Sequence, residues 1–263
     1  MTQRPLILVR RPSPLLATGE LTHQERVPVD PARALEQWLA YVDVFRRHGW
    51  AVSEVAPADE HPDGVFVEDT VVVFDHLALL TAPGAVSRQP EVATTEAACT
   101  ALIDGGVALS MARIEAPGHL DGGDVLKVGR TVYVGETART DAEGIRQLTA
   151  LLGPRGWQVV VVPVTKVLHL KSGVTALPDA TVVGYAPFVD DPQLYPRFMA
   201  VPEVHGAAVV DLGDGAVLMS ADAPQTTALW TERGYAVETV AITEFEKLEG
   251  CVTCLSVRLR PLA

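Results

Sequence analysis

GHLDGGDVLKVGRTVYVGE, residues 118–136, alternates apolar and polar side chains on either side of a Val-Gly-Arg link at 128–130. A link this short reads as a hairpin turn, which needs a residue that tolerates positive φ, and Gly129 supplies it. Helix-spaced ARTDAEGIRQLTALLG (138–153) and the β-branched run WQVVVVPV (157–164) follow, so the unit reads strand, strand, helix, strand.

The same order recurs along the chain. DGVFVEDTVVVFDHLALLT (63–81) precedes helical TTEAACTALIDGG (94–106), with Glu68 and Asp69 reading as neighbours inside an apolar strand. LHLKSGVTALPDATVVGY (168–185) precedes DDPQLYPRFMA (190–200), which stands in the helix position of its unit. VHGAAVVDLGDGAVLMS (204–220) precedes APQTTALWTERG (223–234), and a fifth unit starts at Gly250 and reads as cut short. Equivalent points fall at Asp121, His169, Ala207 and Cys254, 48, 38 and 47 residues apart. Such units cannot cover both faces of their sheets alone, so the expected fold is α/β: a five-bladed pseudo-symmetric propeller with helices outside and one central site. No linker or low-complexity tract interrupts the pattern, and residues 1–263 are expected to form one catalytic domain. Residues 31–48 read as a scaffold helix capped by Asp30 and stopped by Gly49, whereas SPLLATGELTHQERVPVD (13–30) reads as a mobile loop near the site.

With 48% hydrophobic and 21% charged residues, the composition is that of a soluble globule. A formal charge of −12 and the lack of any basic run beyond paired arginines argue against nucleic acid and suit a small cationic substrate. No stretch has the roughly 18 apolar residues of a membrane span, and the opening MTQRPLILVRRPSP does not read as a signal peptide, so a cytoplasmic location is expected. The oligomeric state is left open, a homodimer included.

Three cysteines and no export signal argue against a disulfide framework. Cys99 reads as a packed residue of its helix. The C-x-x-C of GCVTCLSVRLR (250–260) precedes an alternating strand rather than a helix, which disfavours a thioredoxin-like couple, and no second close pair completes a zinc site. One poised thiol, Cys254, with Cys251 as packing remains beside a purely structural pair. A thiol nucleophile needs a base, and His169 fits best, between apolar neighbours at the head of a hairpin, with His119 and His205 still open. Glu68, Asp69, Asp121 and Asp124 would hold either a hard metal or a cationic ligand, if they converge at all.

Six stretches in register, PDGVFVEDTVVVF (62–74), LTAPGAVSRQPE (80–91), LDGGDVL (120–126), TART (137–140), LHLKSG (168–173) and EGCVTCLSV (249–257), closely resemble the dimethylarginine dimethylaminohydrolases. These belong to the guanidine-modifying (pentein) superfamily of five-bladed folds. The resemblance implies hydrolysis of Nω-methylated L-arginine to L-citrulline and methylamine or dimethylamine through an S-alkylthiouronium, with no metal or organic cofactor. It implies Cys254 as nucleophile, His169 as general acid and base, and Asp121 as its supporting carboxylate. Glu68 and Asp69 match the acids near the guanidinium, Arg88 and Arg139 the arginines for the α-carboxylate, and Asp63 the acid for the α-amino group. Leu248, through its carbonyl, and a lid leucine, Leu15 or Leu16, with Leu16 taken as the contact, match lesser partners. Glu249 stands where aspartate is frequent, which leaves the choice of N-substituent open. The alternatives are an arginine deiminase-like hydrolase releasing ammonia, and a noncatalytic five-bladed binding module.

Overall fold

Five three-stranded sheets surround a common axis in the computed structural model, which describes residues 4–260. The N-terminal strand β1 (Leu6–Val9) leads through the helix Pro31–Arg47 to β2 (Ala51–Glu54). The next blade holds β3 (Val71–Phe74), β4 (Leu77–Leu80), the helix Glu91–Asp104 and β5 (Ser110–Arg113). Another holds β6 (Val125–Val128), β7 (Thr131–Glu136), the helix Ala142–Leu152 and β8 (Gln158–Pro163). Then come β9 (Val174–Ala176), β10 (Val182–Tyr185) and β11 (Phe198–Val201), followed by β12 (Val209–Gly213), β13 (Ala216–Ser220), the helix Pro224–Glu232 and β14 (Ala236–Val240). The last strand, β15 (Val257–Leu259), pairs antiparallel with β1, Leu6 opposite Leu259.

In every blade the first strand runs antiparallel to the second, and the second parallel to the third. In the four blades made of consecutive strands the antiparallel step is a hairpin, whereas β15 and β1 pair without one; the parallel step needs a crossover, which the outer segment supplies. Gly129 takes φ 58° in the β6–β7 turn, and Asp214 and Gly215 take φ 51° and 76° in the β12–β13 turn, as the sequence predicts.

Three expectations are corrected. The unit that reads as cut short at Gly250 is completed by the N-terminal β1, helix and β2, a connection that a reading in chain order does not reveal. Residues 190–200 contain a single 3-10 turn, Pro192–Leu194, and strand β11, because Pro196 can neither donate to nor continue a helix. Glu68 and Asp69 lie in a 3-10 turn, Val67–Thr70, ahead of β3 rather than inside a strand. An equivalent helical turn precedes β6, β9 and β12, at Gly122–Asp124, Leu170–Gly173 and Val204–Ala207. Cys254 likewise sits in a turn closed by its N–H to the Cys251 carbonyl at 3.1 Å, three residues before β15.

The helix Pro31–Arg47 begins as expected, with the Asp30 carboxylate accepting the N–H groups of Ala32 and Arg33. Its buried stripe, Trp38, Tyr41, Val42 and Phe45, packs with Leu248, Val252 and Leu255. Burial of those four side chains contributes on the order of 8 kcal/mol as an upper bound. The Tyr41 hydroxyl donates to the Val252 carbonyl at 2.8 Å and meets Ser256 Oγ at 2.7 Å. The scaffold helix therefore holds both sides of the turn that presents Cys254. No helix among the described residues is long and apolar enough to cross a membrane.

Candidate active site

The helical turns that precede the inner strands β3, β9 and β15 put Asp69, His169 and Cys254 at one end of the axis, where all three line a pocket of about 20 Å³. Asp63, Phe66, Arg88, Leu168, Leu248 and Glu249 also line it, with Glu20 and Arg139 at its rim. Asp121 is fully buried behind the imidazole, its Oδ2 2.9 Å from His169 Nε2 and its Oδ1 accepting the Gly84 N–H at 2.8 Å.

Gly123 explains the DGGD stretch. A Cβ there would stand 2.6 Å from His169 Nδ1 and 2.8 Å from Asp69 Oδ1, so only glycine lets the ring and the carboxylate come together. The Gly123 N–H donates to Asp69 Oδ1 at 2.8 Å, and Arg88 Nη1 lies 2.5 Å from Asp69 Oδ2. Arg88 is braced in turn by Glu91 at 2.9 Å, and Glu91 by the fully buried Arg10 at 3.9 Å. Alternating charges thus run from Arg10 through Glu91, Arg88 and Asp69 to His169 and Asp121, each buried charge facing an opposite one. Burial opposes the imidazolium, but Asp69, the Asp121 hydrogen bond and Asp124 outweigh it and hold the His169 pKa up at about 9. Burial also opposes the Asp69 carboxylate, yet His169 and Arg88 hold its pKa below the usual range.

The two thiols of the C-x-x-C lie 3.4 Å apart. Contact with Cys251, burial and the charges of Glu68 and Asp69 push the Cys254 pKa well up, while the Cys254 contact pulls Cys251 down. Cys251 thus packs directly against the Cys254 sulfur, its own thiol half-buried. Cys99 is fully buried, and burial raises its pKa to about 11, as a packed thiol requires.

At the rim, Glu20 Oε2 lies 2.7 Å from Arg139 Nη2, and the Glu20 N–H reaches both Asp63 oxygens at 3.1 and 3.2 Å. Burial raises the Asp63 pKa, offset in part by Arg88. Glu249, at φ 60°, accepts the backbone N–H groups of Thr22, His23 and Gln24 with Oε1, whereas its Oε2 is buried without a partner.

Two residues expected at the site point elsewhere. Glu68 Oε1 is 2.6 Å from both Lys171 Nζ and Arg258 Nη2, and its side chain lines a different cavity. Leu16 is turned into the core by the 3-10 turn Leu16–Thr18, and Leu15 is 46% exposed, so the loop residue at the pocket is Glu20. Glu20 and Glu91 escape a sequence reading because one is an acid in an aperiodic loop and the other an ordinary first-turn helix acid. Of the remaining histidines, His205 is half-buried and lies 3.3 Å from the buried Glu246, outside the pocket.

Asp69, Asp121 and His169 could offer three ligand atoms to a metal, and so could His205, Asp222 and Glu246. In the first set Asp69 is already committed to Arg88 and Gly123, and a divalent ion there would face a buried guanidinium.

No family model matches the chain. An N(G),N(G)-dimethylarginine dimethylaminohydrolase of Streptomyces coelicolor is 57% identical over 255 residues, 97% of each chain. The chain belongs to the dimethylarginine dimethylaminohydrolase family. A Pseudomonas aeruginosa dimethylarginine dimethylaminohydrolase is 36% identical over 96% of this chain and 98% of its own. The crystal structure of a dimethylarginine dimethylaminohydrolase variant as an adduct with S-methyl-L-thiocitrulline superimposes with a TM-score of 0.88, at 35% identity, over 98% of this chain and all of that one. The five blades described above are thus the fold of the dimethylarginine dimethylaminohydrolases.

Proposed function

We propose that the chain hydrolyses Nω-methylated L-arginine to L-citrulline and the corresponding methylamine, with Cys254 as nucleophile and His169 as acid and base. The observation that carries this reading is one pocket with a thiol, an acid-flanked imidazole and an arginine-carboxylate rim, in a chain 57% identical to a relative of that name. Guanidinium is planar, cationic and a poor electrophile, so it must be oriented before attack. The unpartnered Glu249 Oε2 supplies an acceptor for its N–H groups, and Asp69 adds the lone-pair positions that Arg88 and Gly123 leave open, a geometry that suits N–H donors. At the rim, Arg139 receives the α-carboxylate once Glu20 releases it, and Asp63 receives the α-ammonium. Arg88 contributes mainly by fixing Asp69, since its Nε and Nη2 are already engaged by Glu91, Asp63 and Phe66. About 20 Å³ is room for little more than a water, so the loop that carries Glu20 must move to admit substrate.

A bound guanidinium beside Cys254 opposes the carboxylates that push its pKa up and favours the thiolate. The sulfur attacks the guanidine carbon to give a tetrahedral adduct. His169, protonated below about pH 9, donates its Nδ1 proton to the amine as the C–N bond breaks, and the S-alkylthiouronium remains. Neutral His169 then takes a proton from water, the hydroxide adds to the same carbon, and C–S cleavage returns the thiolate while the O–H proton passes to solvent, where the released amine takes it up, and citrulline leaves. Asp121 keeps the ring oriented throughout, holding Nε2 at 2.9 Å.

Incubation of the purified protein with asymmetric dimethylarginine, monomethylarginine and arginine, with citrulline and dimethylamine both measured, tests the reading. Citrulline and dimethylamine in equal amounts from the dimethylated substrate are expected. Citrulline formed faster from arginine, with ammonia, would replace the reading by a deiminase.

A further inference from the structure

A cavity of about 390 Å³ opens at the other end of the axis, between the inner strands of all five blades. Its wall carries Lys127, Lys171, Arg258 and Arg260, together with Glu68, Asp75 and Asp211. The carboxylates are already engaged: Glu68 by both Lys171 and Arg258, Asp211 by Arg260 at 3.2 Å, and Asp75 by Arg130 at 2.7 Å. Once Asp75 is set against Arg130, two carboxylates face four cations. Lys127 has no carboxylate partner among the described residues; its ammonium donates to the Val73 carbonyl at 2.5 Å and lies 5.6 Å from the Phe74 ring centre. Solvent reaches Lys127 through the mouth, yet protein surrounds it, and its pKa falls to about 7, lowered first by desolvation and then by Arg258, Lys171 and Arg260.

A surplus of positive charge converging on a recess, in a chain of net charge −12, is a local exception to the whole molecule. Cations held together without counter-charge repel one another, and a ligand of opposite sign relieves that repulsion most where low-dielectric walls focus the field. We propose that this funnel is an anion site, in which Lys127, Lys171, Arg258 and Arg260 receive an oxyanion dianion of the size of sulfate or phosphate. With Lys127 charged the surplus matches a dianion, and Lys127 is the group with most to gain from it. The site does not depend on the activity proposed above.

Sulfate is a suitable probe because it does not titrate near neutrality. Calorimetric titration of the whole chain with sodium sulfate at pH 8, with chloride holding ionic strength constant, should give saturable binding. Repeated in buffers of different ionisation enthalpy, it should reveal uptake of close to one proton as Lys127 becomes fully charged. Lys127→Met should weaken binding about tenfold and abolish the uptake while leaving turnover unchanged; Arg260→Gln should weaken binding without abolishing uptake. Arg139→Gln, at the other pocket, should bind sulfate as the parent does. No saturable heat from the parent, equal affinity in Lys127→Met, or loss of binding in Arg139→Gln would each overturn the proposal.

Discussion

The two ends of the propeller axis are built from the same five inner strands and differ in almost everything else. At the end where those strands begin, a pocket of about 20 Å³ is lined by a thiol, an imidazole and carboxylates, and a loop closes over it. At the end where they finish, a cavity of about 390 Å³ is open and cationic. Volume alone would direct attention to the wrong end. The chemistry follows from the helical turns, which deliver their side chains before each strand starts, whereas the strands deliver theirs along the wall. Glu68 stands between the two, bonded to Lys171 and Arg258, as a charged floor separating them.

Cys254→Ser would break the contrast most, with loss of at least about a thousandfold in citrulline formation, because a hydroxyl without an activating base is a poor nucleophile. Cys251→Ser should retain turnover while shifting the pH dependence of thiol alkylation, since it removes the sulfur at 3.4 Å. Loss of turnover in Cys251→Ser and retention in Cys254→Ser would reverse the assignment.

Glu68→Gln tests the floor. It leaves the buried Lys171 and the half-buried Arg258 without their shared carboxylate and should lower stability by about 2 kcal/mol, read as a lower denaturant midpoint at unchanged slope. An unchanged midpoint would mean that the two ends are not electrostatically divided by this residue.

Asp121→Asn should lower kcat about a hundredfold and move the pH profile. In the parent, His169 is the proton donor below its pKa of about 9, so kcat/KM should fall as pH rises through that value. Removing the carboxylate lowers the pKa, and the fall should move to lower pH. A profile that stays in place would show that Asp121 does not hold the ring.

The smallest effect concerns the loop. Glu249→Ala removes the acceptor of three backbone N–H groups and should raise KM severalfold with a lesser change in kcat, while amide exchange at residues 22–24 accelerates.

Much of the fold could be read from one blade, because hairpin turn residues, helix spacing and a β-branched third strand are local signals. The blade built from both termini could not be read, since a pairing of Leu6 with Leu259 leaves no local trace. At the site, the acids, histidine and cysteine stand out as polar residues in apolar runs. Which way each points depends on the turn that holds it, so the sequence groups Glu68 with Asp69 while the structure sends one to the floor and the other to the pocket. Glu20 is beyond a sequence reading because its importance comes from Arg139, 119 residues away.

The pairing of β1 with β15 also sets an order of events during synthesis. Strand β1 is synthesised long before its antiparallel partner β15, so that edge waits uncovered while the other four blades can already form. The thiol-bearing turn is delivered by the same late segment. The site thus lacks its thiol until Cys254 has emerged, and nascent chains of increasing length should gain protease resistance in steps, with thiol reactivity towards a guanidine-based probe arriving only once the segment from Gly250 to β15 has been made.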